Sequence, residues 1–199
     1  MPSEQHAPEG YAVVAIAASA GGVQALIRLL GGFDADLPVP VLLVQHLDPR
    51  HRTALPQVLT HRTKLTIKLA EDRDRIQPGI VYLAPPGRHL LVKSNGTMVL
   101  SDSEVVHFVR PSADLLFESV AEAYGPRAIA CVLTGTGVDG ARGVAAIKAH
   151  GGTVLVEDPK TAQFAGMPTA AVKSGAADHV LPLEEIAAAL RGLVESKRQ

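Results

Sequence analysis

Ser19 occupies a position at which a serine can act as a nucleophile. It lies in the small-residue segment 17–22, between an apolar run over 13–16 and an apolar-periodic run over 23–30. This pattern predicts that a buried strand turns sharply into a helix at the serine. The free N–H groups of the helix N-terminus would then face an oxyanion formed near the side chain. Ordinary strand–helix packing explains the same small residues, so the pattern alone leaves both roles open.

Two further polar side chains follow apolar runs in the same way. His46 comes directly after the run 41–45, and Asp139 comes shortly after the run that ends at Leu133. In an open α/β sheet, ligands bind at the carboxyl ends of the strands, so these side chains and Ser19 are expected to meet at one edge. A neutral imidazole can take the proton of a serine, and a buried carboxylate holds that imidazole in one tautomer. The positions therefore predict a Ser-His-Asp triad.

The histidine and the aspartate also have simpler interpretations. His46 is one of eight histidines and is singled out by its position alone. Asp139 is equally suited to cap the helix predicted over 139–150, because aspartate is a preferred N-cap residue. The spacing by itself therefore leaves a catalytic and a structural role open.

The glycines around Asp139 support a second function. Gly135, Gly137 and Gly140 form a G-x-G-x-x-G pattern after a predicted strand and before a predicted helix. Glu157 closes the next strand. In a dinucleotide-binding fingerprint the pyrophosphate lies on the helix N-terminus and the carboxylate binds a ribose hydroxyl. A dinucleotide-binding domain is therefore the main alternative, although Asp139 would place a negative charge beside the phosphates.

The elements that must position these residues alternate along the chain, which is typical of a doubly wound, mainly parallel sheet with crossover helices. Predicted strands cover 13–17, 39–44, 79–84, 89–92, 98–100, 128–133, 153–156 and 179–181, and predicted helices cover 23–30, 53–61, 112–124, 139–150, 168–173 and 183–194. The runs 79–84, 89–92 and 98–100 are short and closely spaced, and Asn95-Gly96 is a strong hairpin signal. We expect a single α/β domain with an antiparallel hairpin portion inserted into the sheet or at its edge.

Length and composition exclude several classes of protein. The chain has 199 residues, 47% of them hydrophobic, with 19 basic and 20 acidic side chains. This charge balance argues against nucleic acid as a partner. No apolar run approaches the roughly 20 residues needed to cross a bilayer, so no membrane insertion is expected. Cys131 is the one cysteine, which excludes a disulfide framework or a cysteine zinc site within one chain.

Six segments together resemble the catalytic domain of the chemotaxis receptor methylesterases, the protein-glutamate methylesterases. In chain order they are AASAGG (17–22), QH (45–46), PGIVYLAP (78–85), RPSAD (110–114), LTGTGVDGA (133–141) and GMP (166–168). The resemblance runs from about residue 11 to residue 194. It implies a serine hydrolase in signal transduction that releases methanol from glutamate methyl esters on methyl-accepting chemotaxis receptors. It also allows deamidation of particular glutamines.

The same resemblance implies a role for each matching residue. Ser19, His46 and Asp139 fall on the nucleophile, the base and the residue that orients the base. The backbone N–H groups of Thr136 and Ala20 are candidate oxyanion donors. The resemblance implies no metal and no organic cofactor, and it makes the receptor the protein substrate.

The chain departs from the family pattern in two ways. Ala20 follows the nucleophile where many relatives have threonine. Many relatives also carry an N-terminal receiver domain that controls activity through phosphorylation, whereas this chain begins almost directly at the catalytic strand. We therefore expect constitutive activity, control by a separate regulatory protein, or a shortened chain. A catalytically silent binding module of the same fold is a further alternative.

The ends of the chain are expected to lie outside the domain. Residues 1–10 are predicted to form a polar N-terminal tail, 11–195 the methylesterase-like catalytic domain, and 196–199 a C-terminal tail. The N-terminal segment is polar and lacks the basic start and apolar stretch of a signal peptide. A cytoplasmic location is therefore expected.

Overall fold

Nine strands, six α-helices and a short 3-10 helix at Gly125–Arg127 make up the fold in the computed structural model, which describes residues 10–48, 50 and 53–196. The strands are β1 (Val13–Ala18), β2 (Val41–Gln45), β3 (Thr66–Leu69), β4 (Ile80–Leu83), β5 (His89–Val92), β6 (Met98–Ser101), β7 (Ala128–Val132), β8 (Thr153–Glu157) and β9 (His179–Leu181). The helices are α1 (Gly22–Gly31), α2 (Leu55–Thr60), α3 (Ala113–Tyr124), α4 (Ala141–Ala149), α5 (Gly166–Lys173) and α6 (Leu183–Ser196).

Seven of the strands form one parallel sheet in the order β3-β4-β2-β1-β7-β8-β9. The chain first builds outward from β1 through β2, and it later returns to the other side of β1 with β7. The direction of winding therefore reverses between β1 and β7, and such a switch point is where ligands bind in open α/β sheets. The predicted α/β fold class is confirmed.

Helices cover both faces of the sheet, which is why its central strands are apolar except for Gln45 at the end of β2. β1, β2 and β7 are buried at every residue. One core lies between the sheet and helices α3, α4 and α5, together with the hairpin β5–β6. The other core lies between the sheet and helices α1, α2 and α6.

The middle of the chain differs in part from the prediction. β5 and β6 form the expected antiparallel hairpin across Asn95-Gly96, as a separate two-stranded sheet packed on α3. The prediction was wrong for the run 79–84, because β4 pairs in parallel with β2 and β3 instead of joining the antiparallel portion. β3 was not predicted, although Leu65, Ile67 and Leu69 alternate with polar residues in the pattern of a half-buried edge strand.

None of the helices within the described ranges combines the length and the apolar composition that crossing a bilayer requires. Residues 1–9 and 197–199 lie outside the described residues, as do positions 49, 51 and 52. The terminal tails expected at 1–10 and 196–199 therefore stay predictions.

Candidate active site

Ser19 is the first residue after β1, and α1 begins three residues later. Its N–H donates to the carbonyl of Thr134 at 3.0 Å, and its own carbonyl accepts the N–H of Gly22 at 2.8 Å. The turn between strand and helix passes through Gly21 at φ 75°, a left-handed conformation that glycine adopts without steric cost. The predicted strand–turn–helix arrangement around the serine is confirmed.

His46 lies beside Ser19 because their strands are neighbours. β1 and β2 pair in parallel, with Ala18 opposite Gln45. Ser19 and His46 are the next residues along the two strands, and neighbouring strands run about 4.8 Å apart. The buried side chain of Gln45 joins the two turns, since its Nε2 donates to the carbonyls of Ser19 (2.9 Å) and His46 (3.1 Å).

Asp139 comes from the loop after β7 and meets the histidine directly. His46 Nε2 and Asp139 Oδ2 are 2.8 Å apart. The side chains are 11% and 3% exposed, respectively. An ionised carboxylate only accepts hydrogen bonds, so Nε2 of His46 carries the proton of this bond, and in the neutral imidazole Nδ1 is then the acceptor. The predicted approach of the β2 and β7 loops is therefore observed.

The carboxylate of Asp139 receives three further hydrogen bonds from the start of α3. The donors are the hydroxyl of Ser112 (2.8 Å) and the N–H groups of Ala113 (2.6 Å) and Asp114 (3.1 Å). Burial by itself would raise the pKa of Asp139, but the hydrogen bonds from His46 and from α3 outweigh it and hold the pKa below its usual value. Asp139 is therefore a fixed negative charge at the N-terminus of α3.

Asp139 does not cap α4, the helix that follows it. The interpretation of Asp139 as the N-cap of that helix was therefore wrong. The N-terminus of α4 is instead bound by Asp114 in the first turn of α3. Asp114 Oδ1 accepts the N–H groups of Gly140 (2.9 Å) and Gly143 (2.7 Å). Its other oxygen accepts from His107 Nε2 at 3.1 Å. Asp139 thus caps α3, and Asp114 caps α4. The exchange holds the N-termini of the two helices against each other.

This exchange of caps argues against a dinucleotide in the Gly135-x-Gly137-x-x-Gly140 loop. A pyrophosphate would bind the free N–H groups at the start of α4, but the carboxylate of Asp114 already accepts two of them. Glu157 is buried and accepts the N–H of Thr134 at 2.7 Å. Glu157 therefore binds the backbone of the loop after β7, whereas a dinucleotide-binding fingerprint requires this carboxylate to bind a ribose hydroxyl.

The loop after β7 passes directly against Ser19. A Cβ added to Gly135 would lie 2.9 Å from the Cβ of Ser19 and would overlap the sulfur of Met167. The backbone of Gly135 also exchanges hydrogen bonds with the segment before α5, since its N–H donates to Phe164 (3.0 Å) and its carbonyl accepts from Met167 (2.8 Å). Gly135 is therefore needed for this close approach, and the GMP segment serves to hold the loop in place.

One candidate oxyanion donor belongs to the residue after the serine, and the other belongs to the residue after Gly135, which lies against the serine. Ala20 is the next residue in the chain, and Thr136 is exposed in the loop after β7. Among the residues that the structure describes, no acceptor takes the N–H of Ala20 or of Thr136. Both groups are therefore available to an oxygen of a bound molecule.

Sequence reasoning missed the residues that hold the three candidates in place. Ser112, Asp114, Gln45 and Thr134 are all buried polar side chains. Ser112 and Asp114 had a usable signal, since they begin a predicted helix and lie in a segment of the family resemblance. Within the described ranges, no group of three or more His, Cys, Asp or Glu side chains is arranged to hold a metal ion.

Comparison with known proteins identifies similar chains over most of the sequence. The sequence profile of the CheB methylesterase family matches residues 14–190. A Leptospira interrogans protein is 40% identical over 177 residues, which cover 89% of this chain and 92% of that protein. The protein-glutamate methylesterase/protein-glutamine glutaminase of Moorella thermoacetica is 41% identical over 189 residues. That match covers 93% of this chain but 45% of the Moorella protein, so the chain spans about half of its length.

A solved structure is similar over almost the whole fold. The crystal structure of the Thermotoga maritima CheB methylesterase catalytic domain superposes with a TM-score of 0.89 and 37% sequence identity. The superposition covers 92% of this chain and 99% of the Thermotoga chain. The two chains therefore share the same fold.

Proposed function

This chain belongs to the CheB methylesterase family, and from that membership we propose that it is a serine hydrolase that cleaves glutamate methyl esters on chemotaxis receptors and releases methanol. Hydrolysis of glutamine side-chain amides by the same residues is part of the proposal. The catalytic residues that we propose are Ser19, His46 and Asp139. We further propose a cytoplasmic site of action and control by a separate regulatory protein.

The observation that carries this proposal is the bond between His46 and Asp139 beside the Ser19 turn. The carboxylate accepts the Nε2 proton at 2.8 Å and is itself held by three donors from α3. An imidazole bound in this way has one tautomer and one orientation, which a base for a serine hydroxyl requires. A structural cap of α3 needs no imidazole, so the histidine is the part of the arrangement that favours catalysis.

The reaction follows from the tautomer. Nδ1 of His46 takes the proton of the Ser19 hydroxyl as the oxygen attacks the ester carbonyl. The N–H groups of Ala20 and Thr136 stabilise the oxyanion of the tetrahedral intermediate. His46 then returns the proton to the leaving methoxide, and methanol departs from an acyl-enzyme on Ser19. Water hydrolyses the acyl-enzyme with His46 again as base, which regenerates the serine and leaves a glutamate. Asp139 stays ionised and stabilises the imidazolium in both steps.

Exposed apolar side chains near these residues support a protein substrate. Phe108 is 98% exposed, and it lines a cavity of about 140 Å³ together with His46 and Val105. Val138, next to Asp139, is also exposed. An exposed apolar surface beside a reactive site is typical of a region that binds another protein. The apolar face of a receptor helix would cover these side chains when a glutamate ester enters.

Methanol release from methylated receptor membranes tests the proposal. We expect Ser19→Ala and His46→Ala each to lower the rate by about 10⁴-fold or more, because serine and base act as one unit. Ser94→Ala and His61→Ala, at exposed positions away from the site, serve as matched controls and should keep the rate within about twofold. Release that survives in Ser19→Ala would refute the serine mechanism. No release from the folded wild-type chain would favour the silent binding module.

A further inference from the structure

A second cavity lies on the opposite side of the Ser19 turn. Its volume is about 330 Å³, and it opens between the N-terminal parts of α1 and α6. These helices pack on the face of the sheet that is opposite to α3 and α4. The cavity is therefore separate from the place where His46 meets Asp139. Its size falls at the lower end of the range for small-ligand sites, about 300–1,000 Å³.

A buried carboxylate, Glu157, lines this cavity. The side chain is 2% exposed, and one of its oxygens accepts the N–H of Thr134 at 2.7 Å. Within the described part of the chain, no donor reaches the second oxygen and no cation forms an ion pair with the group. Burial raises the pKa of Glu157 above its usual value, and the charge of Glu184 adds to this effect, whereas the hydrogen bond from Thr134 and the charge of Arg28 oppose it. Because this second oxygen has no protein donor, it can accept a hydrogen bond from a molecule in the cavity.

The remaining lining determines the charge of that ligand. Arg28 pairs with Glu184 at 3.4 Å, and both lie on exposed surface at the cavity. With Glu157 included, the lining carries two negative groups and one positive group, so it has a net charge of −1. A positively charged ligand would neutralise this excess, whereas an anion would add to it.

The uncharged lining residues suit a cation that has several donors and a short apolar stem. Gln24, Thr161 and Gln163 supply amide and hydroxyl oxygens that accept hydrogen bonds. Ala25 and Leu183 supply apolar wall for a chain of methylene groups. A guanidinium group has five N–H donors in a fixed plane and binds a carboxylate through two of them. An ammonium ion has three donors and would leave more of the acceptors unused.

We propose that this cavity is a binding site for an alkylguanidinium group, with Glu157 as its anionic partner. The group is either an arginine side chain of a protein that binds beside the active site or a free small molecule. The proposal goes beyond the esterase assignment and does not depend on it, because the site is defined by binding alone.

The cavity also touches the backbone that holds the serine. Thr134, whose N–H is bound by Glu157, accepts the N–H of Ser19 through its carbonyl at 3.0 Å. The hydroxyl of Thr134 donates to the carbonyl of Ala20 at 3.0 Å. Only Thr134 therefore lies between a ligand on Glu157 and Ser19. Binding of the ligand should change the amide chemical shifts of the Ser19 turn.

Titration of the full chain with ethylguanidinium chloride, followed by two-dimensional NMR of the backbone amides, tests the site. We expect saturable shifts at Gly21, Thr134 and Glu157 with a dissociation constant of roughly 1–10 mM. Sodium chloride at the same ionic strength should produce no saturable shift at these residues. Ethylguanidinium that causes only non-saturable shifts, or shifts spread over the whole surface, would overturn the proposal.

Substitutions separate the charge of Glu157 from its structural role. Glu157→Gln keeps an oxygen to accept the N–H of Thr134 but removes the charge, so the affinity should fall at least about tenfold. Glu185→Gln, an exposed neighbour that does not line the cavity, should change it less than about twofold. Gln24 is exposed at the opening of the cavity, so the larger side chain of Gln24→Phe would block that opening. This variant should also abolish binding, although Glu157 is intact. Unchanged affinity in both Glu157→Gln and Gln24→Phe would refute the site.

Two probes distinguish the sources of the guanidinium group. A short blocked peptide with a central arginine represents a protein partner, and agmatine represents a free small molecule. Tighter binding of the peptide, lost when its arginine is replaced by citrulline, assigns the site to a protein side chain. Tighter binding of agmatine, lost in Glu157→Gln, assigns it to a small molecule. Failure of both probes to bind would contradict the proposal.

Discussion

Asp139 and Glu157 are both buried carboxylates, and they flank the same serine turn on opposite faces of the sheet. Asp139 is bound by His46 and by three donors from the start of α3. Glu157 is bound by the N–H of Thr134 alone among the described residues. The pKa of Asp139 is lowered despite its burial, whereas burial raises the pKa of Glu157. The larger number of donors to Asp139, together with the negative charge of Glu184 near Glu157, therefore separates the pKa values of the two groups.

The difference suits two different tasks. A carboxylate that orients a catalytic imidazole must stay ionised throughout the reaction, so its charge must be compensated by the protein itself. A carboxylate that receives a cation from solution must instead keep part of its hydrogen-bonding capacity unused. On the α3 face, protein donors fill the hydrogen-bonding capacity of Asp139 without a ligand. On the α1 face, Glu157 gains a further donor when a guanidinium group binds.

The largest effect on activity is expected from removing the charge of Asp139, the carboxylate on the α3 face. Asp139→Asn should lower kcat for ester hydrolysis by as much as about 10⁴-fold, because the amide would favour the wrong tautomer of His46. The measurement is steady-state methanol release at a temperature at which the variant is folded. Asp36→Asn, at an exposed position with no role in the site, is the matched control. A loss below about tenfold would mean that Asp139 serves only as a cap for α3.

A smaller effect should distinguish the two carboxylates by the sign of their pH dependence. The lowered pKa of Asp139 stabilises the fold above the unfolded pKa of about 3.8, and this contribution is lost as the pH falls through the folded value. The raised pKa of Glu157 has the opposite consequence, because its ionisation destabilises the fold as the pH rises above the unfolded value of about 4.5. At pH 7 we therefore expect Asp139→Asn to lower the free energy of unfolding and Glu157→Gln to raise it, each by an amount on the order of 1 kcal/mol.

Urea unfolding at several pH values checks this pair of signs. The difference for Asp139 should shrink as the pH falls below about 4, because this carboxylate is protonated first in the unfolded state and then in the folded state. The difference for Glu157 should shrink at higher pH, as the pH falls toward about 4.5, because its raised pKa makes the folded state take up the proton first. Two substitutions that change stability in the same direction at pH 7 would contradict the contrast between the two faces.

The positions of the candidate residues were predictable because they depend on a general property of parallel sheets. Ser19, His46 and Asp139 each follow a strand, and parallel strands bring their carboxyl ends to one edge. The partners of Asp139 were not predictable in the same way, since Ser112 and Asp114 come from a helix whose packing is determined by the tertiary fold. The cap of α4 was misassigned for this reason: aspartate suits an N-cap locally, but Asp114 reaches that N-terminus from α3.

The pairing of the strands was likewise not predictable from local sequence alone. The run 79–84 is short and lies near two other short runs, so local spacing favoured an antiparallel arrangement. β4 joins the parallel sheet because it pairs with β2 on one side and β3 on the other. β3 was missed although Leu65, Ile67 and Leu69 alternate with polar residues. Glu157 was singled out by its distance from the glycine motif, yet its contact with Thr134 gives it a different environment.

Labelling with a fluorophosphonate tests most directly whether the serine is activated by the histidine. We expect a covalent adduct on the tryptic peptide that contains Ser19, formed by the wild-type chain and lost in Ser19→Ala. We also expect His46→Ala to lower the labelling rate by at least about 10³-fold, because the hydroxyl then has no base. Labelling at another serine, or equal labelling of the wild-type chain and His46→Ala, would contradict activation of Ser19 by His46.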